Sequence, residues 1–463
     1  MSRSPARAHG PAEGGPYGRV LAVSLPLAAS MASVLAMQFV ERLFLGAYSL
    51  EALAAVAPAA LALYWSGSFF LGAVNYLSVF VAQYLGSGRP ERVGAVVWAG
   101  IYFCLGAGLI LAALSLWAEP LFALTGHAPE LRELEASYFT IEARGAALAL
   151  LGPALGGLFA GEGRTRPVML ANLLGTASFV PLAYALINGW GFFPELGLAG
   201  AAWATVAAWA VTAASLALMI FQGPRWREFG LDRGWVFDRE LMARLLRYGL
   251  PSGLQSTLEI SAVLAFVLMV GRLGMAELAV TNMVMAIDAL AFVPMMGFSV
   301  GVSTLVGQAL GRGEQEQARE AVRRTLHITL GYLGLVCLAF ILFPGPLLAL
   351  FKPRGMESAG FAPLLARGAG VLIMVAFYRI FSGLGIVCSG ALRGAGDIRF
   401  ILKAMALWTA AALLGPLYLG LELLDQGLIW AWGCFTAYVL GLSLAYAWRF
   451  RRGAWRSLRL LED

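Results

Sequence analysis

Leu25-Pro26, Gly46, Leu53-Ala54 and Val81-Ala82-Gln83-Tyr84-Leu85-Gly86-Ser87-Gly88 return 225 positions later as Leu250-Pro251, Gly271, Leu278-Ala279 and Val306-Gly307-Gln308-Ala309-Leu310-Gly311-Arg312-Gly313. The offset holds without a slip along the whole stretch. A second pair of echoes, 233 apart, matches Gly157, Gly161, Gly163 and Arg166 to Gly390, Gly394, Gly396 and Arg399. Both copies are too apolar for water, so the chain is a duplicated membrane unit. Two similar halves in a bilayer can rock against each other around a central site, which is the architecture of a transporter.

Composition agrees. Hydrophobic residues make up 60% of the chain and charged residues 13%, about half the charged share of a soluble domain. Mean hydropathy is +0.75. Apolar runs of the length that crosses a bilayer, about 20 residues, recur near 20–46, 52–85, 94–117, 136–160, 167–188, 197–221, 245–271, 278–310, 326–350, 364–390, 400–420 and 427–448. The expected fold is an all-α polytopic membrane protein: twelve transmembrane helices in two six-helix lobes, related by a pseudo-two-fold axis along the membrane normal.

Lys and Arg set the orientation. Of 33 basic residues, the loops on one side with both termini hold 25. The other side holds five (Arg132, Arg272, Lys352, Arg354 and Arg367), and Arg42, Arg144 and Arg379 fall inside spans. By the positive-inside rule both termini are cytoplasmic. The net charge of +6 then reads as attraction to anionic membrane lipid, and nucleic acid is not a partner. The glycine loops that close helices lack the preceding strand and the Lys-Ser/Thr of a phosphate cradle, so no nucleotide site is expected.

The chain divides into a disordered tail (1–17), an N-lobe (18–221), a cytoplasmic linker (222–244), a C-lobe (245–450) and a cytoplasmic tail (451–463). Asp238 marks a helix N-cap in the linker, and Trp226, Trp235 and Phe237 suit a headgroup-level segment. Cys104, Cys337, Cys388 and Cys434 lie in apolar spans without metal-like spacing and read as core residues.

Acids inside apolar spans are costly and therefore functional candidates. Glu41 lies in the first span, Glu259 in the seventh and Asp288 in the eighth. Burial disfavours the anion, so such a carboxyl can take a proton on one side and lose it on the other. Glu259 has Gln255 and Ser256 within a turn, and Asp288 has Thr281 and Asn282 near it. Helices seven and eight are expected to be neighbours, which lets Glu259 and Asp288 share one cation, Na⁺ as the metal. Glu41 has only Gln38 as a polar neighbour in sequence, an environment that suits a proton. Further polar residues in spans, Tyr64, Asn75, Tyr76 and Asn172, suit a cavity for flat amphipathic cations.

Phe39-Val40-Glu41-Arg42-Leu43-Phe44-Leu45-Gly46, the paired Val81–Gly88 and Val306–Gly313 stretches, Pro194-Glu195-Leu196-Gly197, Leu250-Pro251-Ser252-Gly253-Leu254-Gln255 and Ser389-Gly390-Ala391-Leu392-Arg393-Gly394 resemble the multidrug and toxic compound extrusion (MATE) family. The resemblance spans about 20 to 450. It implies an antiporter that exchanges a substrate for H⁺ or Na⁺, with no other cofactor, acting as a monomer in a prokaryotic cytoplasmic (inner) membrane. Departures fall where coupling occurs. The usual Asp of helix one is Glu41; the helix-five stretch that often carries two polar partners reads Phe179-Val180-Pro181-Leu182-Ala183; the acid of helix ten corresponds to Ser382. The N-lobe site thus reads as a lone carboxyl.

The leading expectation is export of organic cations or amphipathic drugs, with Glu41, Glu259 and Asp288 coupling and Gln38, Tyr64, Asn75, Tyr76, Asn172, Gln255, Asn282 and Ser382 lining the cavity. The alternative is a lipid-linked precursor flippase of the same superfamily, which requires a cationic cavity. An enzyme is not expected: His9, His127 and His327 lack metal spacing, and no nucleophile motif is present.

Overall fold

The computed structural model describes residues 15–191, 193–222, 226–352, 358–458, 460 and 461. Among them, twelve helices are long and apolar enough to cross a membrane. In chain order they are α1 (Gly15–Tyr48), α2 (Leu50–Asn75, carried on by Leu77–Gly86), α3 (Val93–Leu114), α4 (Pro129–Glu162), α5 (Arg166–Asn188), α6 (Leu198–Phe221), α7 (Arg239–Gly271), α8 (Met275–Gly311), α9 (Gln315–Leu342), α10 (Ser358–Gly394), α11 (Ile398–Trp408, continued by wider turns to Leu423) and α12 (Leu428–Arg452). Each expected span overlaps one of them, in order. Helix α1 starts at Gly15, inside the expected tail. The rest of that tail, and Arg225, Arg354 and Arg459, lie outside the described residues.

Local chemistry explains the helix ends. Asp238 caps α7, its Oδ1 accepting from the Leu241 amide at 2.9 Å, as its sequence position predicts. Gly163 closes α4 in the left-handed region at φ 81°, a conformation only glycine adopts without strain. Residues 226–238 turn back along α3: Trp98 donates to the Leu231 carbonyl at 3.0 Å and Arg92 pairs with Asp238 at 3.3 Å. Trp235 and Phe237 remain exposed. The four cysteines are buried and free.

Packing shows how the halves meet. With an even number of spans both termini lie on one side, the terminal side. There a single core joins the lobes: Val74, Phe80, Val81 and Tyr84 of α2 share it with Val302 and Val306 of α8 and with Val387 and Leu392 of α10. Toward the far side the core divides. One part belongs to the N-lobe (Leu45, Val56, Phe139, Phe179 and Ala201) and the other to the C-lobe (Phe266, Val284, Val371, Leu417 and Trp432). The lobes are therefore fused by packing at the terminal side and part toward the far side.

Candidate functional site

Glu41 of α1 points into the N-lobe, where Tyr138 of α4 donates to its Oε1 at 2.8 Å. One turn further along α4 is a second acid, Glu142, and Thr205 of α6 completes the group. The four residues are almost fully enclosed, at 6%, 2%, 3% and 4% exposure in that order. The two carboxyls act on each other electrostatically. Glu142 Oε1 and Thr205 Oγ1 are enclosed without a hydrogen-bond partner. Among the described residues, neither acid is ion-paired. Arg42 is adjacent in sequence but exposed, since neighbouring helical positions diverge. Two carboxyls in a low-dielectric interior repel when both are ionised, so this group holds a proton or a bound cation.

The lone N-lobe carboxyl expected from the sequence is thereby corrected: Glu41 has Glu142, Tyr138 and Thr205 beside it. Glu142 satisfies the criterion that singled out the other acids, since it lies within the fourth apolar span. What was hidden is the meeting of α1 and α4 across 97 residues of chain.

Asp288 is placed differently. Arg379 of α10 grips it with two nitrogens, Nε to Oδ1 and Nη2 to Oδ2, and the Tyr378 hydroxyl donates to Oδ2 at 3.1 Å. Arg379 Nη1 also donates to Ser382 Oγ at 3.2 Å. Its guanidinium lies 5.2 Å from the Phe292 ring and 5.4 Å from that of Tyr378. Planar bidentate geometry of this kind fills the lone pairs of a carboxylate. A cation shared by Asp288 and Glu259 does not match this geometry, because Arg379 already neutralises Asp288. Ser382, where the family resemblance places an acid, is a ligand of the same arginine.

Glu259 stands half-buried on α7, with no hydrogen bond or ion pair among the described residues. Arg393, Tyr64 and Tyr438 lie within its electrostatic reach. Gln255, one turn earlier, accepts from Arg393 Nη2 at 3.2 Å. Close by, Trp65 donates to Ser261 Oγ at 2.9 Å and Ser68 meets Thr257 at 3.1 Å, both across the lobe boundary. Glu259 thus sits between two contacts that join the lobes along α2 and α7.

The other expected cavity residues separate into two sets. Gln38, Tyr64, Asn75 and Asn282 are exposed. Tyr76 and Asn172 are engaged in structure: the Tyr76 hydroxyl donates to the Arg393 carbonyl at 3.1 Å, and Asn172 donates to Ser30 Oγ at 2.7 Å.

The repeat does not copy these groups. At the 225- and 233-residue offsets, Glu41, Tyr138 and Glu142 correspond to Phe266, Val371 and Val375, while Asp288 and Arg379 correspond to Leu63 and Ala146. All five of those counterparts are buried and none is polar. These two clusters are thus particular to their own lobes.

At the terminal side the lobes are tied reciprocally. Gln83 of α2 donates to the Gly394 carbonyl at 2.9 Å, and Gln308 of α8 donates to the Gly161 carbonyl at 2.8 Å. Arg19 holds Gln308 Oε1 at 2.9 Å. The backbones of α2 and α8 cross at Gly86 and Gly311, where a methyl group on Gly311 would lie 2.9 Å from the Gly86 Cα.

A duplicated twelve-helix bundle, joined on one side, parted on the other and holding buried carboxyls within its lobes, is a membrane transporter and not an enzyme. The MatE family matches residues 26–185 and 251–415, once in each lobe, and the chain belongs to that family. It is 29% identical over 455 residues to a probable multidrug resistance protein NorM of Pseudomonas syringae pv. tomato, covering 96% of this chain and 95% of that one. It is 27% identical over 462 residues to a protein of the same description from Thermotoga maritima, covering 97% and 96%. The fold also matches a solved structure described as the outward-facing conformation of a multidrug resistance MATE family transporter of the MOP superfamily. That match has TM-score 0.85 and 22% identity, over 96% of this chain and 98% of the other. The eukaryotic MATE transporter AtDTX14 matches with TM-score 0.81 at 17% identity, over 95% and 96%.

Proposed function

We propose that the protein is a secondary active antiporter that exports organic cations or amphipathic compounds from the cytoplasm in exchange for H⁺. The observation that carries this reading is the buried Glu41–Tyr138–Glu142 group, two carboxyls with a phenol that donates to one of them and, among the described residues, no fixed counter-cation. Tyr138 presents its proton to Glu41, and with Glu142 one turn along α4 the two acids share one enclosed site in which a proton can be exchanged. Deprotonation leaves negative charge in the N-lobe wall, which favours a cationic substrate; protonation removes it and favours release. Glu259, at the α2–α7 lobe boundary, is a second charge for a cation to meet, and Arg393 tempers it. Gln38, Tyr64 and Asn282 are exposed and available to substrate.

Both termini are assigned to the cytoplasm of an inner membrane, on the excess of basic residues at that side. The conformation described is then closed to the cytoplasm and open outward, ready to release substrate and load a proton. The flippase alternative needs a cationic cavity, and Arg379, one of its three candidates, is held by Asp288.

Substrate binding to the purified protein in weakly buffered detergent should release protons, read with a pH dye. Glu41→Gln and Glu142→Gln should each suppress that release. Unchanged release in both variants would refute the assignment.

A further inference from the structure

A second buried acid of α4 lies outside the group just described. Glu135 is wholly enclosed, at 0% side-chain exposure, and its Oε1 lies 2.7 Å from Nδ1 of His127, whose side chain is 38% exposed on the far-side loop before α4. The other oxygen of Glu135, Oε2, is enclosed and has no partner. A purely structural tie has no use for such an oxygen, because an unpartnered buried acceptor is costly.

Helical geometry points Glu135 at the coupling group. Tyr138 and Glu142 follow it by three and seven positions, so all three share one face of α4. Glu142 lies about 10 Å deeper along the axis. Other titratable or charged groups at the far-side ends of the packed elements are Arg42 and Tyr48 of α1, Glu51 of α2, Glu119 of the short Ala118–Ala123 helix, Tyr184 of α5 and Glu195 before α6; on α4 itself they are Glu130, Arg132 and Glu133. Arg132 is half-buried and the rest are exposed; Glu135 alone is enclosed. The far-side ends of α3 and α6 carry none.

We propose that His127 and Glu135 form the far-side mouth of the proton path to Glu142 and Glu41. The proposal rests on the proton-coupled reading above. An imidazolium at His127 passes its Nδ1 proton to the Glu135 carboxylate and becomes neutral. The half-exposed ring then swings outward, the bared Nδ1 takes a proton from water, and the imidazolium swings back to Glu135. The carboxyl of Glu135 turns so that this proton faces inward, passes it through intervening water to the carboxylate of Glu142, and returns to the anion. One proton enters, one is delivered, and both relay groups are restored.

The test is efflux of a fluorescent organic cation from proteoliposomes, with the far-side pH varied between about 5 and 8, the range in which histidine charge changes. His127→Gln and Glu135→Gln are expected to slow pH-driven efflux about tenfold or more and to flatten its dependence on far-side pH. Substrate-for-substrate exchange without a pH gradient should stay at the wild-type rate, which certifies a folded transporter. Imidazole in the far-side buffer should restore speed to His127→Ala. Wild-type rates and pH profiles in His127→Gln and Glu135→Gln would overturn the relay alone. If the wild-type protein ignores the pH gradient, the relay and the proton reading fall together.

Discussion

Gln83 and Gln308 are images of each other under the repeat, and each closes a helix end in the opposite lobe. The last carbonyls of a helix lack partners within it. Gln83 fills one at Gly394, the end of α10, and Gln308 fills one at Gly161, in the last turn of α4. In the proposed exchange cycle, opening the terminal side has to break both bonds, so the pair would act as a latch whose strength sets how long that side stays shut.

Gln83→Leu and Gln308→Leu should each weaken the closed state by about 1 kcal/mol, roughly a fivefold change in population. The double variant should approach the sum. Spin-label distances between the terminal-side loops at 88 and 313 would read the shift as a growing long-distance component.

Gly311→Val should prevent closure altogether. A Cβ at Gly311 meets the Gly86 backbone at 2.9 Å, and backbone cannot swing aside as a side chain does. We expect a folded protein that binds substrate, transports none, and shows the long terminal-side distance as its main state.

Asp288 and Arg379 should behave as structure rather than as a coupling site. Removing one partner, as in Arg379→Met, should destabilise the protein by about 3–5 kcal/mol, because it leaves a buried charge alone. The double variant Asp288→Asn/Arg379→Met should recover most of that loss in thermal melts. Its pH-driven transport should persist, whereas loss of coupling in a well-folded double variant would restore Asp288 to the exchange chemistry.

Much of the architecture is legible in the sequence. The repeat offset located both lobes, and apolar length located the helices, because a bilayer demands satisfied backbone over a fixed thickness. Glu41 was legible for the same reason: a carboxyl in hydrocarbon stands out. Its partners were not. Tyr138 reads as ordinary packing until α4 is known to face α1, and Arg379 reads as one more arginine in a span until α10 is brought onto α8 across 91 residues. Periodicity tells which face of a helix is apolar, but not which helices meet.

The most direct test imposes a pH gradient and a Na⁺ gradient separately on proteoliposomes containing wild-type protein or Glu142→Gln, and follows efflux of a fluorescent organic cation. The account predicts wild-type efflux with the pH gradient alone, and about tenfold or greater loss in Glu142→Gln. Efflux that needs Na⁺, or a Glu142→Gln protein as fast as wild type, would contradict the Glu41–Glu142 pair as the site of proton exchange.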